Sequence, residues 1–127
     1  MSIQNVRQRL PQQFLDSLGK QLKLPVGFGQ DGSMVSLEDV LGSSQEAHLW
    51  PELPPAQKAE ITARRIELQP KFNMAFIGGG IVGKEQAIQE VKVKSDIGRR
   101  LIEIENLLLT KLIAEIEEKQ AKNDDQV

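Results

Sequence analysis

Phe76 to Glu85 reads FIGGGIVGKE, and the fold class turns on what those residues do. Gly78, Gly80 and Gly83 keep the G-x-G-x-x-G spacing, and Gly78, Gly83 and Lys84 keep the spacing of a P-loop up to its last position. Both patterns serve one physical end. Glycines let the backbone turn tightly, so that N–H groups at the start of a helix can face a phosphate. If either pattern is functional, the chain is α/β with a parallel sheet. If the glycines only turn the chain, no parallel sheet is required.

The phrase FIGGGIVG is similar to the opening of flavin- and NAD-dependent oxidoreductases over about ten residues. The resemblance implies KFNMAFI as a strand, GKEQAIQEV as the helix, LIEIE as a second strand and Glu103, 20 residues after Gly83, as the acid on a ribose hydroxyl. The rest of the chain departs from that pattern. Residues beyond Glu105 read as helix and polar tail rather than a third strand, and the first 65 residues show no strand–helix–strand alternation. Against a P-loop, Glu85 stands where a hydroxyl would hold magnesium, and no later apolar strand ends in Asp. We therefore expect a glycine turn or hinge at Phe76, Gly78, Gly79 and Gly80. The alternative is a small nucleotide- or anion-binding protein using Gly78, Gly79, Gly80, Gly83 and Lys84.

Downstream, Ser95 and Asp96 can cap a helix through IGRRLIEIENLLLTKLIAEIEEKQ. At 100° per residue, Ile97, Leu101, Ile102, Ile104, Leu107, Leu108, Leu109, Leu112, Ile113 and Ile116 cover more than half of its circumference. Such a helix needs cover on two sides. One side can face its own domain, and the other is expected to meet a protein partner or a second copy, because burying one Leu or Ile contributes roughly 1.5–3 kcal/mol. Leu101, Ile102, Leu108, Leu109, Leu112, Ile113 and Ile116 are the candidate partner-binding stripe. The spacing is not a strict heptad, and Glu105 and Glu115 interrupt it, so a helical pair or bundle contact is expected rather than a long coiled coil.

Upstream, Pro11 opens a helix that presents Phe14, Leu15, Leu18 and Leu22 on one face and stops by Pro25. Asp31-Gly32, between Val26 and Phe28 on one side and Met34 and Val35 on the other, predicts a small hairpin or ordered loop. Ser36 and Asp39 predict a capped short helix ending at Gly42. GSSQEAHLWPELPPAQ reads as a Pro-rich connector, with Leu49, Trp50 and Leu53 tucked onto the core and Pro55 able to start a helix; its PxxP spacing fits a stiff linker. Ile66, Leu68, Phe72, Met74 and Phe76 alternate at period two, which predicts a strand broken or edge-bound at Pro70. Residues 84–95 suit a strand through Val91 and Val93 or a helix through Ala87, Ile88 and Val91.

Composition narrows the chemistry. A chain of 127 residues predicts one compact domain, set at residues 1–121, with 122–127 a disordered polar tail. Aromatics make up 4%, so the core must be aliphatic, and the lack of cysteine excludes disulfides and thiolate chemistry. No apolar leader opens the chain and no window approaches the roughly 18 apolar residues of a membrane span, so a cytoplasmic protein without membrane contact is expected. Residues 1–24 carry four basic groups against Asp16, and residues 31–60 carry six acids against Lys58. That asymmetry is too slight, and too poor in interleaved aromatics, for nucleic acid.

His48 is the sole histidine, Ser33, Ser36, Ser43 and Ser44 have turn or cap explanations, and solvation and ion pairing on the final helix account for Glu103, Glu105, Glu117 and Glu118, as for Glu115 placed to pair with Lys119. Neither a metal site nor a cofactor is expected. The expectation is an α+β domain (alternatively mainly α): an N-terminal helix, one or two short strands and a long amphipathic C-terminal helix. Its expected work is non-catalytic, as an adaptor, assembly factor or small subunit that self-associates or binds a protein, with nucleotide not the expected ligand.

Overall fold

The computed structural model describes residues 3–43, 45–76 and 80–125. Helix α1 (Gln12–Leu18) starts after Pro11, which is its N-cap, and passes into a 3-10 turn over Gly19–Lys23. Strand β1 (Pro25–Gly29) then forms the expected hairpin with β2 (Met34–Ser36). The Asp31 carboxylate holds the turn by accepting from the Ser33 N–H at 3.0 Å and its hydroxyl at 2.7 Å. These bonds also lower the Asp31 pKa. Helix α2 (Leu37–Gly42) follows with the Ser36/Asp39 capping box that the spacing predicts.

The Pro-rich connector is more ordered than its composition suggests. Ala47–Leu49 pairs with the free edge of β1 as strand β3, giving an antiparallel sheet in the order β2-β1-β3. Trp50 is fully buried, and its indole N–H donates to Asn106 Oδ1 at 2.9 Å. Leu53 is buried too, which ties both apolar ends of the Pro51–Pro54 spacing to the core. Helix α3 (Pro55–Glu67) begins at Pro55, as expected, but runs on through Ile66. The predicted long strand is therefore corrected: Ile66 is a buried residue of the last helical turn, Leu68 is the C-cap, and strand β4 covers only Asn73–Phe76. Ala59, Ala63 and Ile66 share a helical face, and that helical periodicity outweighs the period-two reading of Ile66 and Leu68.

Strand β5 (Gly80–Gly83) pairs antiparallel with β4, in register from Asn73 opposite Gly83 to Phe76 opposite Gly80. The ambiguous segment resolves as helix α4 (Lys84–Lys92). Helix α5 (Asp96–Asp125) has 30 residues and is about 45 Å long. It continues past position 121, where the polar composition ended the ordered domain, and Lys122 pairs with Glu118 at 3.2 Å in that last stretch. Residues 126–127 lie outside the described residues.

The fold is α+β, and every strand pair among the described residues is antiparallel. Its apolar residues form two clusters. One gathers Val26, Leu37, Leu41, Trp50 and Ile61 around Leu109, Ile113 and Ile116, and the other gathers Ala63, Ile66, Val82, Ala87 and Val91 around Leu101. Helix α5 thus spans both.

Its N-terminal end is seated by Gly98, where an added Cβ would stand 2.0 Å from the Glu90 carbonyl oxygen. Alanine would push α5 away from the end of α4. Gly98→Ala is expected to cost about 1–3 kcal/mol in urea unfolding, as overpacking usually does. An unchanged midpoint would refute this close seating.

Candidate functional site

The predicted stripe divides between core and surface. Leu101, Leu109, Ile113 and Ile116 are buried at 4%, 0%, 6% and 0% exposure, so they are corrected from partner-binding residues to core residues. Ile102 and Leu112 are half-buried against the same core. Only Leu108, at 41%, is well exposed. The physical reason is the double core: α5 satisfies two clusters in succession, and each takes the residues that point towards it.

On the opposite side of the helix, Ile104 and Leu107, which the stripe left out, join Leu108 in an exposed apolar surface. Ile104, Leu107 and Leu108 are 48%, 65% and 41% exposed. With 3.6 residues per turn they fall within about 100° of arc, together with Arg100, Lys111 and Glu115. Ile104, Leu107, Leu108, Lys111, Leu112 and Glu115 line an open groove whose further wall includes Gln21. A signal for this side was present in the sequence, because the arc that holds charged Arg100, Lys111 and Glu115 is the arc that faces water. Apolar residues on it are the unpartnered ones.

The glycine segment has a geometry other than the two fingerprints require. A dinucleotide turn leads from strand directly into helix, whereas here Gly80 begins a returning antiparallel strand and Gly83 is the N-cap of α4. Gly80 adopts a φ of 73°, a left-handed conformation that glycine takes without strain. The Lys84 ammonium donates to the Gln69 carbonyl at 2.6 Å, just past the C-cap of α3. Glu85 occupies the first turn of α4, where an anion would otherwise sit. Phe76 is the last residue of β4, while Gly78 and Gly79 lie outside the described residues.

Most of the other polar residues that the sequence singles out have contacts within the chain. His48 is exposed, with Nδ1 3.7 Å from Glu52. Ser43 accepts from the Gln45 N–H at 3.1 Å, and Ser44 lies outside the described residues. The charge asymmetry is partly consumed within the chain: Lys23 lies 2.9 Å and Arg7 3.6 Å from Glu38. The hydrogen bond from Lys23 leads the causes that hold the Glu38 carboxyl below its ordinary value, so this pairing is complete at neutral pH and fails as pH falls through that lowered value. Of solvation and ion pairing, the two expectations for the carboxylates of this helix, Glu105 takes the second, meeting buried Arg65 at 2.8 Å. Lys119 lies over the Phe14 ring at 5.8 Å, and Glu118 pairs with Lys122.

Among the described residues, no group of three or more His, Asp or Glu is placed to hold a metal ion, and no helix is long and apolar enough to cross a membrane. Comparisons of the chain with protein-family models, with curated proteins and with solved structures give no match.

Proposed function

We propose that the chain is a non-catalytic protein-interaction module, an adaptor, assembly factor or small subunit, that docks through the outward face of α5. The observation that carries this reading is the exposure of Ile104, Leu107 and Leu108 together on one arc of one helix. Apolar residues scattered singly over a surface need no explanation, but a contiguous set framed by charge has the composition of a contact. A rigid helix supports it, anchored in two cores, so little order has to be gained on binding.

The test is site-specific photo-crosslinking in cells. A photoreactive residue in place of Leu107 should give protein adducts, and the same residue in place of exposed Gln86 on α4 should not. Adducts at 107 should disappear when Leu108→Asp is added. That change leaves the melting temperature close to wild type, because surface substitutions usually shift stability by less than about 0.5 kcal/mol. Equal yields at 107 and 86 would refute the reading.

A further inference from the structure

We infer that the corner between α3 and the α4–α5 turn binds a phosphate group carried by a small molecule. The turn after α4 closes with the Lys94 N–H on the Val91 carbonyl at 3.1 Å and the Ser95 N–H on the Glu90 carbonyl at 3.2 Å. That pairing puts Lys94 at the position past a helix end that glycine ordinarily fills, and its φ is 54°. A side chain held in that left-handed conformation costs stability. The Lys94 ammonium does nothing to offset the cost, since it has no hydrogen bond or ion pair among the described residues. An unpartnered charge on a strained backbone is the mark of a residue kept for a ligand.

Lys94 borders a cavity of about 350 Å³ together with Lys58 of α3 and Arg99 of α5, and Pro55, Ile102, Glu103 and Asn106 complete the lining. Three cations from three elements thus share it with one carboxylate. On its other side Lys94 borders a second cavity, where Glu60 and Glu67 offset Arg64, Lys92 and Lys94. The first is therefore the one whose charge favours an anion. Arg99 already meets Asp96, but both side chains of that pair are exposed, such pairs contribute little, and the guanidinium has further N–H groups to donate. A phosphate dianion suits several charge-assisted donors at once. The volume lies at the lower end of small-molecule pockets, and Pro55 and Ile102 supply apolar surface for the body that carries the phosphate. Arg99, Ile102, Glu103 and Asn106 share one arc of α5, separate from the arc of Ile104, Leu107 and Leu108. The site is therefore independent of the docking face proposed above.

Trp50 is the reporter. It is the single tryptophan of the chain, the Lys58 ammonium stands 5.5 Å from the centroid of its ring, and Asn106 accepts from its indole N–H at 2.9 Å. Because Lys58 and Asn106 both line the cavity, titration with phenyl phosphate should change Trp50 fluorescence saturably, and sodium chloride at the same ionic strength should not. Inorganic phosphate should bind at the same place more weakly, having no body to rest on Pro55 and Ile102. Lys94→Gly should weaken phenyl phosphate binding about tenfold, the factor that corresponds to one lost charge-assisted hydrogen bond. The same variant should melt a few degrees higher, because glycine takes a left-handed φ without strain. A merely structural Lys94 would give the higher melting temperature and leave binding alone. Arg99→Gln should weaken binding by a similar factor with little change in melting.

Flat fluorescence together with unchanged amide shifts at Lys94 and Arg99 in NMR spectra would overturn the site. So would a saturable response that survives Lys94→Gly intact. Equal affinity for inorganic phosphate and phenyl phosphate would overturn the small-molecule carrier. Co-sedimentation with vesicles of phosphatidylcholine and phosphatidic acid that phenyl phosphate does not displace would overturn it too, and would assign the cations to a lipid headgroup. None of these outcomes bears on crosslinking at position 107.

Discussion

Leu109→Glu should abolish folding, whereas Leu107→Glu, two positions earlier on the same helix, should leave the melting temperature nearly unchanged. Leu109 is 0% exposed within the cluster that contains Trp50, Ile61, Ile113 and Ile116. Truncating a buried leucine alone usually costs about 2–5 kcal/mol. A carboxylate in its place would also lose its hydration, or bind a proton to avoid that loss, in surroundings that offer apolar side chains. Together these terms rival the roughly 5–15 kcal/mol by which whole domains are stable. At position 107, which is 65% exposed, the same carboxylate keeps its water. Far-UV circular dichroism and thermal melts of the two variants decide the matter. A cooperative Leu109→Glu transition within a few degrees of wild type would mean that α5 is not held in the core as described.

The pair also shows why the contact face was only half legible in the sequence. Periodicity identified the helix and its excess of apolar residues, because both depend on local spacing. Apolar spacing alone did not assign sides; the charges of Arg100, Lys111 and Glu115 were the sequence's mark of the arc that faces water. Leu108 and Leu109 are adjacent, equally apolar and separated by 100° of rotation, and which of them faces inward depends on residues far away in the chain. Trp50 and Ile61, for example, belong to the cluster that claims Leu109.

The same division between local and distant causes runs through the fold. The Asp31 turn and the Ser36/Asp39 cap were readable because their bonds span two or three residues. Strand β3 was not, since its three residues become a strand only by pairing with β1. Helix α3 was obscured differently. Its core-facing positions include two alanines and a threonine, so its apolar signal is slight, and the chance alternation of Ile66 and Leu68 pointed to a strand. At the glycine segment the expected turn centres on Gly78 and Gly79, which lie outside the described residues. The pairing of Gly80 to Gly83 with β4 is what separates the described part of the segment from a nucleotide fingerprint, and spacing alone does not encode a partner strand.

Arg65→Ala should be nearly as damaging as any core truncation, at about 3–5 kcal/mol, because it would strand the groups that Arg65 now joins. The Arg65 side chain is 1% exposed, and Glu105 beside it is 13% exposed. Its Nε donates to Glu105 Oε2 at 2.8 Å, one terminal nitrogen donates to the Pro25 carbonyl at 3.0 Å, and the other to the Gln21 side-chain oxygen. One guanidinium therefore fastens α3 to α5, to the start of β1 and to the 3-10 turn before it. Removing it leaves a poorly hydrated carboxylate and a carbonyl without that donor, and such groups cost more than the intact network contributes. Arg65→Met combined with Glu105→Met should recover most of the loss, since a buried ion pair is often replaceable by apolar groups of similar volume. Urea unfolding of the three chains tests this, and a single-variant loss under about 1 kcal/mol would contradict it. Gln21 adds a functional consequence, because it is both a ligand of Arg65 and a wall of the α5 groove. The Met/Met chain, folded but with Gln21 released, should therefore crosslink less through position 107 even though every apolar residue of that face is intact.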